Sequence, residues 1–321
     1  FYISYQSIKE YDRKLNPYMS EIELFQVFSA SEEFKYLHVR DEEKDELKKL
    51  MDNAPIPINE SPEDSLAKVN VLLQAYISRL SLDGFALMAD MIYVVQSAGR
   101  LFRAMLELVK RKKWAEVSRL LLDICKMVEN RMWLTNSPLR QYPNVPKGLV
   151  RTTERSLTPW RQYLALNSER EVIEGMKAQS YGNLAYQLLL KFPKISVSSS
   201  VLPITASLMR IQLELVPQWK WDVDIHGYSQ SFTVFVEDGD SNNLLFTTSL
   251  IVQKKHINEP HFIECTLNFV DRLQHNLFVS VISDSWIGSI TRKPIILTSL
   301  NMPKRFPAPT PLLDCPLVPV N

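Results

Sequence analysis

One stretch of the chain carries side chains suited to handling a nucleic-acid strand, between Met88 and Lys113. Projected at 100° per residue, Met91, Val94, Ala98, Leu101, Met105 and Leu108 share one arc. Tyr93, Gln96, Arg100, Arg103, Glu107 and Lys110 follow the opposite arc at spacings of three and four, a polar stripe running the length of the helix. An amide, two guanidinium groups and an aromatic ring in one row suit phosphate contact and base stacking on a single strand. Arg103 and Glu107 also have the spacing of an ion pair on a solvated helix face, and composition alone favours that plainer reading. Ser97 and Gly99 tilt the balance back, because small flanking residues let another backbone come close.

Other chemistry-bearing patterns are weaker. Asp238-Gly239-Asp240-Ser241-Asn242 starts like a calcium loop, but Asn243 and Ser249 stand where glycine and a bidentate glutamate are required, so a hairpin turn is expected. Ser65-Leu66-Ala67-Lys68 matches S-x-x-K without its companion motifs. His226 and Asp224 fall in an expected loop and could pair, yet one pair does not make an enzyme. The five histidines show no ligand spacing, and Cys125, Cys265 and Cys315 are too scattered for a disulfide framework or a zinc site. The chain holds only 8 glycines, no two closer than Gly175 and Gly182, which excludes both the dinucleotide fingerprint and the phosphate-cradling P-loop.

The elements that must position the stripe are helical from 20 to 192. Ser20-Glu21-Ile22-Glu23 is a capping box, and 41–53 is a charged amphipathic helix stopped at Ala54-Pro55. Ser61-Pro62-Glu63-Asp64 restarts the helix, and at least three helices follow, near 62–80, 85–111 and 114–131. After the break at Ser137-Pro138, a second capping box at Ser168 opens a small helix-loop-helix unit whose partner helix spans 181–192. From 195 the hydrophobic period switches to two, giving candidate strands at 195–201, 207–216, 231–237, 244–251, 261–269, 277–283 and 294–299. Seven short strands suit an immunoglobulin or fibronectin type III-like β-sandwich. The expected division of this α+β multidomain chain is a helical bundle at 1–136, a helix-loop-helix domain at 137–193, the sandwich at 194–302 and a proline-rich linker at 303–321. Five of the six tryptophans (Trp114, Trp133, Trp219, Trp221 and Trp286) read as core anchors.

The formal net charge of +1 conceals an asymmetry: residues 1–65 carry 15 acidic against 8 basic side chains, while residues 100–161 carry 14 basic against 5 acidic. Lys110-Arg111-Lys112-Lys113 reads as a nuclear import patch or, more simply, as a solvated helix end. Scattered cysteines fit a reducing compartment, and no apolar run is long enough for a membrane helix. No signal peptide is visible at the first residues.

Four ordered motifs carry a family resemblance: Pro55-Ile56-Pro57-Ile58, the run Ala67 to Tyr76, Gln96-Ser97-Ala98-Gly99-Arg100 and Ser137-Pro138-Leu139-Arg140-Gln141. Together they resemble the Sec-sixty-three homology unit that ends each helicase cassette of the Ski-two-like DExH-box family, and the likeness covers essentially the whole chain. Within the family it is nearest to the amino-terminal cassette of the spliceosomal branch, with ribosome-quality-control and alkylation-repair relatives second. The tail from Phe306 to Asp314 resembles the linker between cassettes. The resemblance implies a ratchet helix at 89–111 that guides single-stranded RNA, with Gln96, Ser97, Arg100 and Arg103 facing the strand. It also implies RecA-like motor domains in the same parent chain, where ATP and magnesium would act, leaving this segment non-catalytic and without a cofactor of its own. Spliceosomal proteins of the U-five particle are the implied partners, with a nuclear location and no membrane. A protein-binding scaffold without RNA contact is the alternative. The chain departs from the family pattern at Pro203-Ile204-Thr205-Ala206 and Ser283-Asp284-Ser285-Trp286.

Overall fold

The structure, a computed structural model, describes residues 2–156, 158–176, 179–205, 207–268 and 276–297. The expected linker at 303–321 lies outside the described residues. The helices are α1 (Tyr5–Lys14), α2 (Glu21–Ser29), α3 (Lys44–Asp52), α4 (Ser65–Ile77), α5 (Phe85–Arg111), α6 (Ala115–Asn130), α7 (Lys147–Arg155), α8 (Trp160–Tyr163), α9 (Glu169–Met176), α10 (Gly182–Lys191) and α11 (Val223–His226). The strands are β1 (Ile195–Pro203), β2 (Leu208–Pro217), β3 (Ser229–Glu237), β4 (Leu244–Gln253), β5 (His261–Asn268), β6 (Asn276–Ser283) and β7 (Ile290–Ile296). The chain is therefore α+β, a helical bundle followed by shorter helices and two antiparallel sheets.

Local sequence explains most of the boundaries. The Ser20 hydroxyl accepts from the Glu23 amide at 3.4 Å while the Glu23 carboxylate accepts from the Ser20 amide at 2.7 Å, a complete capping box opening α2. The expected restart at Ser61 is displaced: Asp64 is the cap of α4, accepting from Leu66 at 2.9 Å, and Ser61 to Asp64 forms a turn. A serine before a proline offers a cap, but an aspartate one turn later competes for the same free amides. The charged helix at 41–53 begins as a short 3-10 turn at Asp41–Glu43 before α3. The second capping box is half formed: the Ser168 hydroxyl accepts from Glu171, whose own carboxylate accepts from Asn167 instead.

Within the bundle, the Pro55-Ile56-Pro57 segment bends at its first two residues and is held by Gln74, whose amide oxygen accepts from the Ile56 amide at 2.9 Å and whose amide nitrogen donates to the Ile56 carbonyl at 3.0 Å. The ends of α4 and α6 cap each other. Arg79 donates to the Asn130 and Arg131 carbonyls, and Arg131 donates to the Tyr76 carbonyl while lying over the Tyr76 ring, so each cation meets the negative end of the other helix. Both arginines sit in the left-handed region, at φ 58° and 50°, which ends their helices.

A buried charge cluster ties three elements together. Lys68 on α4 has no solvent exposure, and its ammonium lies 2.6 Å from Glu43, 2.7 Å from Asp90 on α5 and 2.9 Å from the His38 carbonyl. Arg40 pairs with both carboxylates from the rim. Burial pushes the Glu43 carboxyl up, but hydrogen bonds from Lys68 and Arg40 outweigh it and hold the group below the usual glutamate range. The serine of the S-x-x-K pattern begins α4, so the motif marks a structural lysine.

The three-stranded sheet has the order β1-β2-β5 and the four-stranded sheet β4-β3-β6-β7. Met209, Ile211, Leu213 and Leu215 of β2 meet Phe232, Val234 and Val236 of β3 in one core between the sheets. Strands form at all seven expected places, but the last is Ile290–Ile296 against the expected 294–299, because pairing with β6 draws the polar Thr291-Arg292-Lys293 into the ladder; residues 298–299 lie outside the described residues. The Asp238 carboxylate accepts from the Asn242 and Asn243 amides inside the β3–β4 turn, which makes the turn a hairpin connection. That turn clamps the α5–α6 connection: the Ala115 amide donates to the Asn242 carbonyl at 3.0 Å and the Leu244 amide to the Lys113 carbonyl at 2.8 Å. Beside it, the fully buried Glu237 accepts from Arg119 of α6 at 2.9 Å and Arg292 of β7 at 3.2 Å.

Replacing Lys68 with alanine leaves two carboxylates facing each other without their ammonium. The expected loss is about 3–5 kcal/mol of unfolding free energy, read by urea denaturation, against no resolvable change for the exposed Lys35→Ala.

Candidate nucleic-acid interface

The site is the half of α5 that the bundle leaves open. Leu87, Val94, Ser97, Ala98, Leu101, Phe102, Met105, Leu106 and Val109 are buried against the core. At 1.5 Å per residue the helix runs about 40 Å, and its opposite face carries Phe85, Met88, Ile92, Gln96 and Arg103 in exposed positions. The open face is thus polar only from Tyr93 onward. Its first two turns are apolar, with Phe85 exposed to 85% and Ile92 to 55%, so the stripe does not run the whole helix. Those residues share the projected arc of Gln96 and Arg103; Met88 and Ile92 already lie within the projected segment, and extending it upstream adds Phe85.

The four strand-facing candidates divide. Gln96 is exposed. Ser97 is buried at 4% exposure, and its hydroxyl accepts from Arg100 Nη at 2.9 Å, so it reaches the open face only through that arginine. Arg100 is half-buried, has no carboxylate partner among the described residues, and its Nε is buried without any hydrogen-bond partner. Arg103 is exposed and pairs with Glu129 of α6 rather than with Glu107, which pairs with Lys110 at 2.9 Å. The expected Arg103–Glu107 pair is therefore replaced by one between helices and one a turn further on. A Cβ placed on Gly99 would meet nothing within 4 Å, so the space flanking Arg100 is open in this chain.

Below Arg103 the stripe borders a groove of about 400 Å³ between the bundle and the four-stranded sheet, walled by Glu107, Lys110, Ser231, Thr233 and Asp284. Thr233 donates to the Asp284 carboxylate at 2.6 Å. The basic block is partly tied up internally: Lys112 with Asp12, Arg119 with Glu237, Lys126 with Asp123 and Arg140 with Glu154, while Arg111, Lys113, Lys147, Arg151, Arg155 and Arg161 form no ion pair among the described residues. Hydrogen bonding from Arg140 holds the Glu154 carboxyl below its ordinary value.

The other candidates resolve as structural groups. His226 does not pair with the Asp224 carboxylate. It is buried, its Nε2 donates to the Lys191 carbonyl at 2.8 Å, and its Nδ1 accepts from the Asp222 amide at 3.0 Å. Burial holds its pKa below the ordinary histidine value. Ser283 accepts from the Trp286 and Ser285 amides, and the Ser285 carbonyl accepts from Asn130, so the departing Ser283-to-Trp286 motif joins sheet to bundle. Ala206, in the other departing motif, lies outside the described residues. No group of metal-ligating side chains occurs among the described residues. No helix among them is long and apolar enough to cross a membrane.

Fold and site together define an α+β module organised around one long, half-open helix. The chain belongs to the Sec63 Brl domain family, whose model matches residues 1–296. It is 44% identical over 321 residues to "Pre-mRNA-splicing factor brr2" of Schizosaccharomyces pombe, covering 100% of this chain and 15% of that protein. It is 40% identical to the human "U5 small nuclear ribonucleoprotein 200 kDa helicase" over 321 residues, again 100% of this chain and 15% of the relative. A plant relative, "DExH-box ATP-dependent RNA helicase DExH12" of Arabidopsis thaliana, is 39% identical with the same coverage, 100% and 15%. The chain thus spans 15% of the length of these curated relatives.

Two stability measurements follow from this geometry. Gly99→Ala fills open space on a helix interior and is expected to stabilise the chain by up to about 1 kcal/mol in denaturant melts. For His226, the unfolded imidazole takes up a proton near pH 6.5 while the folded one resists. Stability is therefore full above about pH 7 and falls as pH drops toward 5, and His226→Gln should flatten that part of a Tm-against-pH profile.

Proposed function

We propose that this chain is the non-catalytic module of an ATP-dependent RNA helicase cassette acting in pre-mRNA splicing, and that α5 guides single-stranded RNA. Gln96, Arg100 and Arg103 are the strand-facing residues, and Ser97 orients Arg100 from behind. The observation that carries this reading is Arg100: a half-buried guanidinium with no carboxylate partner among the described residues, held from behind by the Ser97 hydroxyl and next to the open flank of Gly99. A phosphate oxygen supplies the charged acceptor such a group lacks. RecA-like motor domains elsewhere in the parent chain would supply ATP and magnesium chemistry, consistent with the helicase names of relatives much longer than this chain. Splicing factors act in the nucleus, which is the location proposed here.

The remaining parts position the helix and dock proteins, those of the U-five particle foremost. Three core clusters support the division near 136 and 193. The strand order β1-β2-β5 facing β4-β3-β6-β7 supports an immunoglobulin or fibronectin type III-like sandwich.

A second reading, a protein-binding scaffold without RNA contact, is favoured by the Arg103–Glu129 pair and by the internal pairing of part of the basic block. Salt separates the two: each phosphate contact adds a slope of roughly −0.7 to log affinity against log salt on single strands, and a scaffold gives none. In the full-length parent helicase, Arg100→Glu with Arg103→Glu should slow unwinding roughly tenfold or more, at about 1–3 kcal/mol for charged contacts, with the melting temperature held. Unchanged unwinding would sink the RNA role.

A further inference from the structure

β1 and β7 are the terminal strands of their two sheets, and they meet at one corner without a backbone ladder. Two hydroxyls close that corner: Thr291 donates to the Ile195 carbonyl at 2.7 Å and Ser289 to the Pro193 carbonyl at 2.7 Å. On the other side of β1, the Lys194 carbonyl accepts from the Gln218 amide at 2.8 Å. Antiparallel alternation then turns the amides and carbonyls of Val197, Ser199 and Val201 outward, away from β2, where no hydrogen bond meets them among the described residues; Val197 is covered, and the edge opens to solvent from Ser199 onward. An exposed strand edge of this kind is a template for an added strand.

A groove of about 290 Å³ lies along the seam. Its floor includes Leu164, Ile195 and Ile290, and its rim carries Arg161, Lys194 and Lys293. None of its lining residues is acidic, and neither Arg161 nor Lys293 forms an ion pair among the described residues. Arg292, beside them, turns instead to the buried Glu237. Three features therefore coincide: unpaired backbone groups, an apolar floor and uncompensated positive charge.

We infer that this seam binds an extended acidic and apolar peptide segment of a partner protein as a strand added to β1. The unpaired edge selects an extended polypeptide backbone, which a nucleic-acid strand does not present. The floor takes every second side chain, and the rim selects carboxylates on the remainder. This rests on the partner-docking part of the proposed function and is independent of RNA on α5.

The test uses the 321-residue chain with an isotope label and, as probe, a capped octapeptide of alternating glutamate and valine, with a lysine–valine octapeptide as its charge-reversed control. Saturable amide shifts at Ser199, Val201 and Thr291 with the acidic peptide alone are expected. Two variants act on different features. Ser199→Pro removes an outward amide that β2 does not use, and Lys194→Glu with Lys293→Glu reverses the rim. Each should weaken the acidic peptide at least about tenfold while the melting temperature and the salt slope for oligouridylate stay as in the parent chain, so a failure here is distinct from a failure of the RNA reading. The proposal is overturned if the peptide leaves those amides unmoved, if both folded variants bind it equally well, or if oligouridylate rather than peptide shifts them.

Discussion

An ammonium group without access to water must be surrounded by acceptors, and in this chain Lys68 finds them on three separate segments. Its partners are Glu43, the His38 carbonyl and Asp90 on α5. Asp90 lies near the start of α5, so a rotation of that helix by even one residue's angle would carry the carboxylate away and strand the ammonium. The cluster therefore sets the azimuth of a 27-residue helix. Which side chains face the core and which remain open follows from that setting: Val94, Ala98 and Leu101 inward, Gln96 and Arg103 outward. Replacing one partner of such a cluster is far more damaging than the net stability of the cluster suggests, which makes it a register device more than a source of stability.

The far end of α5 is fixed by different chemistry. Beyond Arg111 the chain turns through Lys113, at φ 62°, and pairs as an isolated bridge with the β3–β4 hairpin at Trp114 and Asn243. Glu237, with no exposure, receives one arginine from α6 and one from β7 and so locks the hairpin to both. The hydrophobic core of the bundle continues through the same junction, since Phe235, Leu244, Ile282 and Ile287 pack with the helices. With a charge cluster at one end and a backbone clamp at the other, α5 can leave one face unpacked over its whole length and still hold its position.

Local rules made the elements legible and left the partners hidden. The helices at α4, α5 and α6 and all seven strands follow from period and caps, because those signals act within a few residues. The pairs that orient them do not. Lys68 and Glu43 are 25 residues apart and Arg119 and Glu237 are 118 apart, separations at which composition carries no information on contact. The same limit explains Arg103, where the local spacing pointed to Glu107 and a tertiary neighbour, Glu129, took the guanidinium instead. The candidate His226–Asp224 pair does not form, for a related reason: the partners of His226 are the carbonyl of Lys191 and the amide of Asp222, and backbone groups leave no trace in the pattern of side chains. The open face of α5 was visible in projection from Tyr93 onward, whereas its apolar beginning at Phe85 and Met88 resembled ordinary core.

Two adjacent residues on α5 break local rules with no gain inside the chain. Gly99 destabilises a helix interior by roughly 1 kcal/mol relative to alanine, yet nothing in this chain approaches it closely enough to require the missing side chain. Arg100 next to it buries a donor without an acceptor, which costs about 1–3 kcal/mol. Neither feature follows from the packing of the bundle, because the buried face is complete without them. Natural chains are locally consistent except where a function demands otherwise. A ligand that brings an anionic oxygen to the guanidinium of Arg100, which lacks a counter-charge, and a bulky outline to Gly99 answers both positions at once, whereas a purely solvated face leaves Gly99 without a reason. The apolar turns upstream, at Phe85, Met88 and Ile92, then give the same occupant a surface on which flat or apolar groups can rest. The change from apolar to cationic along one face thus matches a polymer whose own chemistry alternates between ring and phosphate.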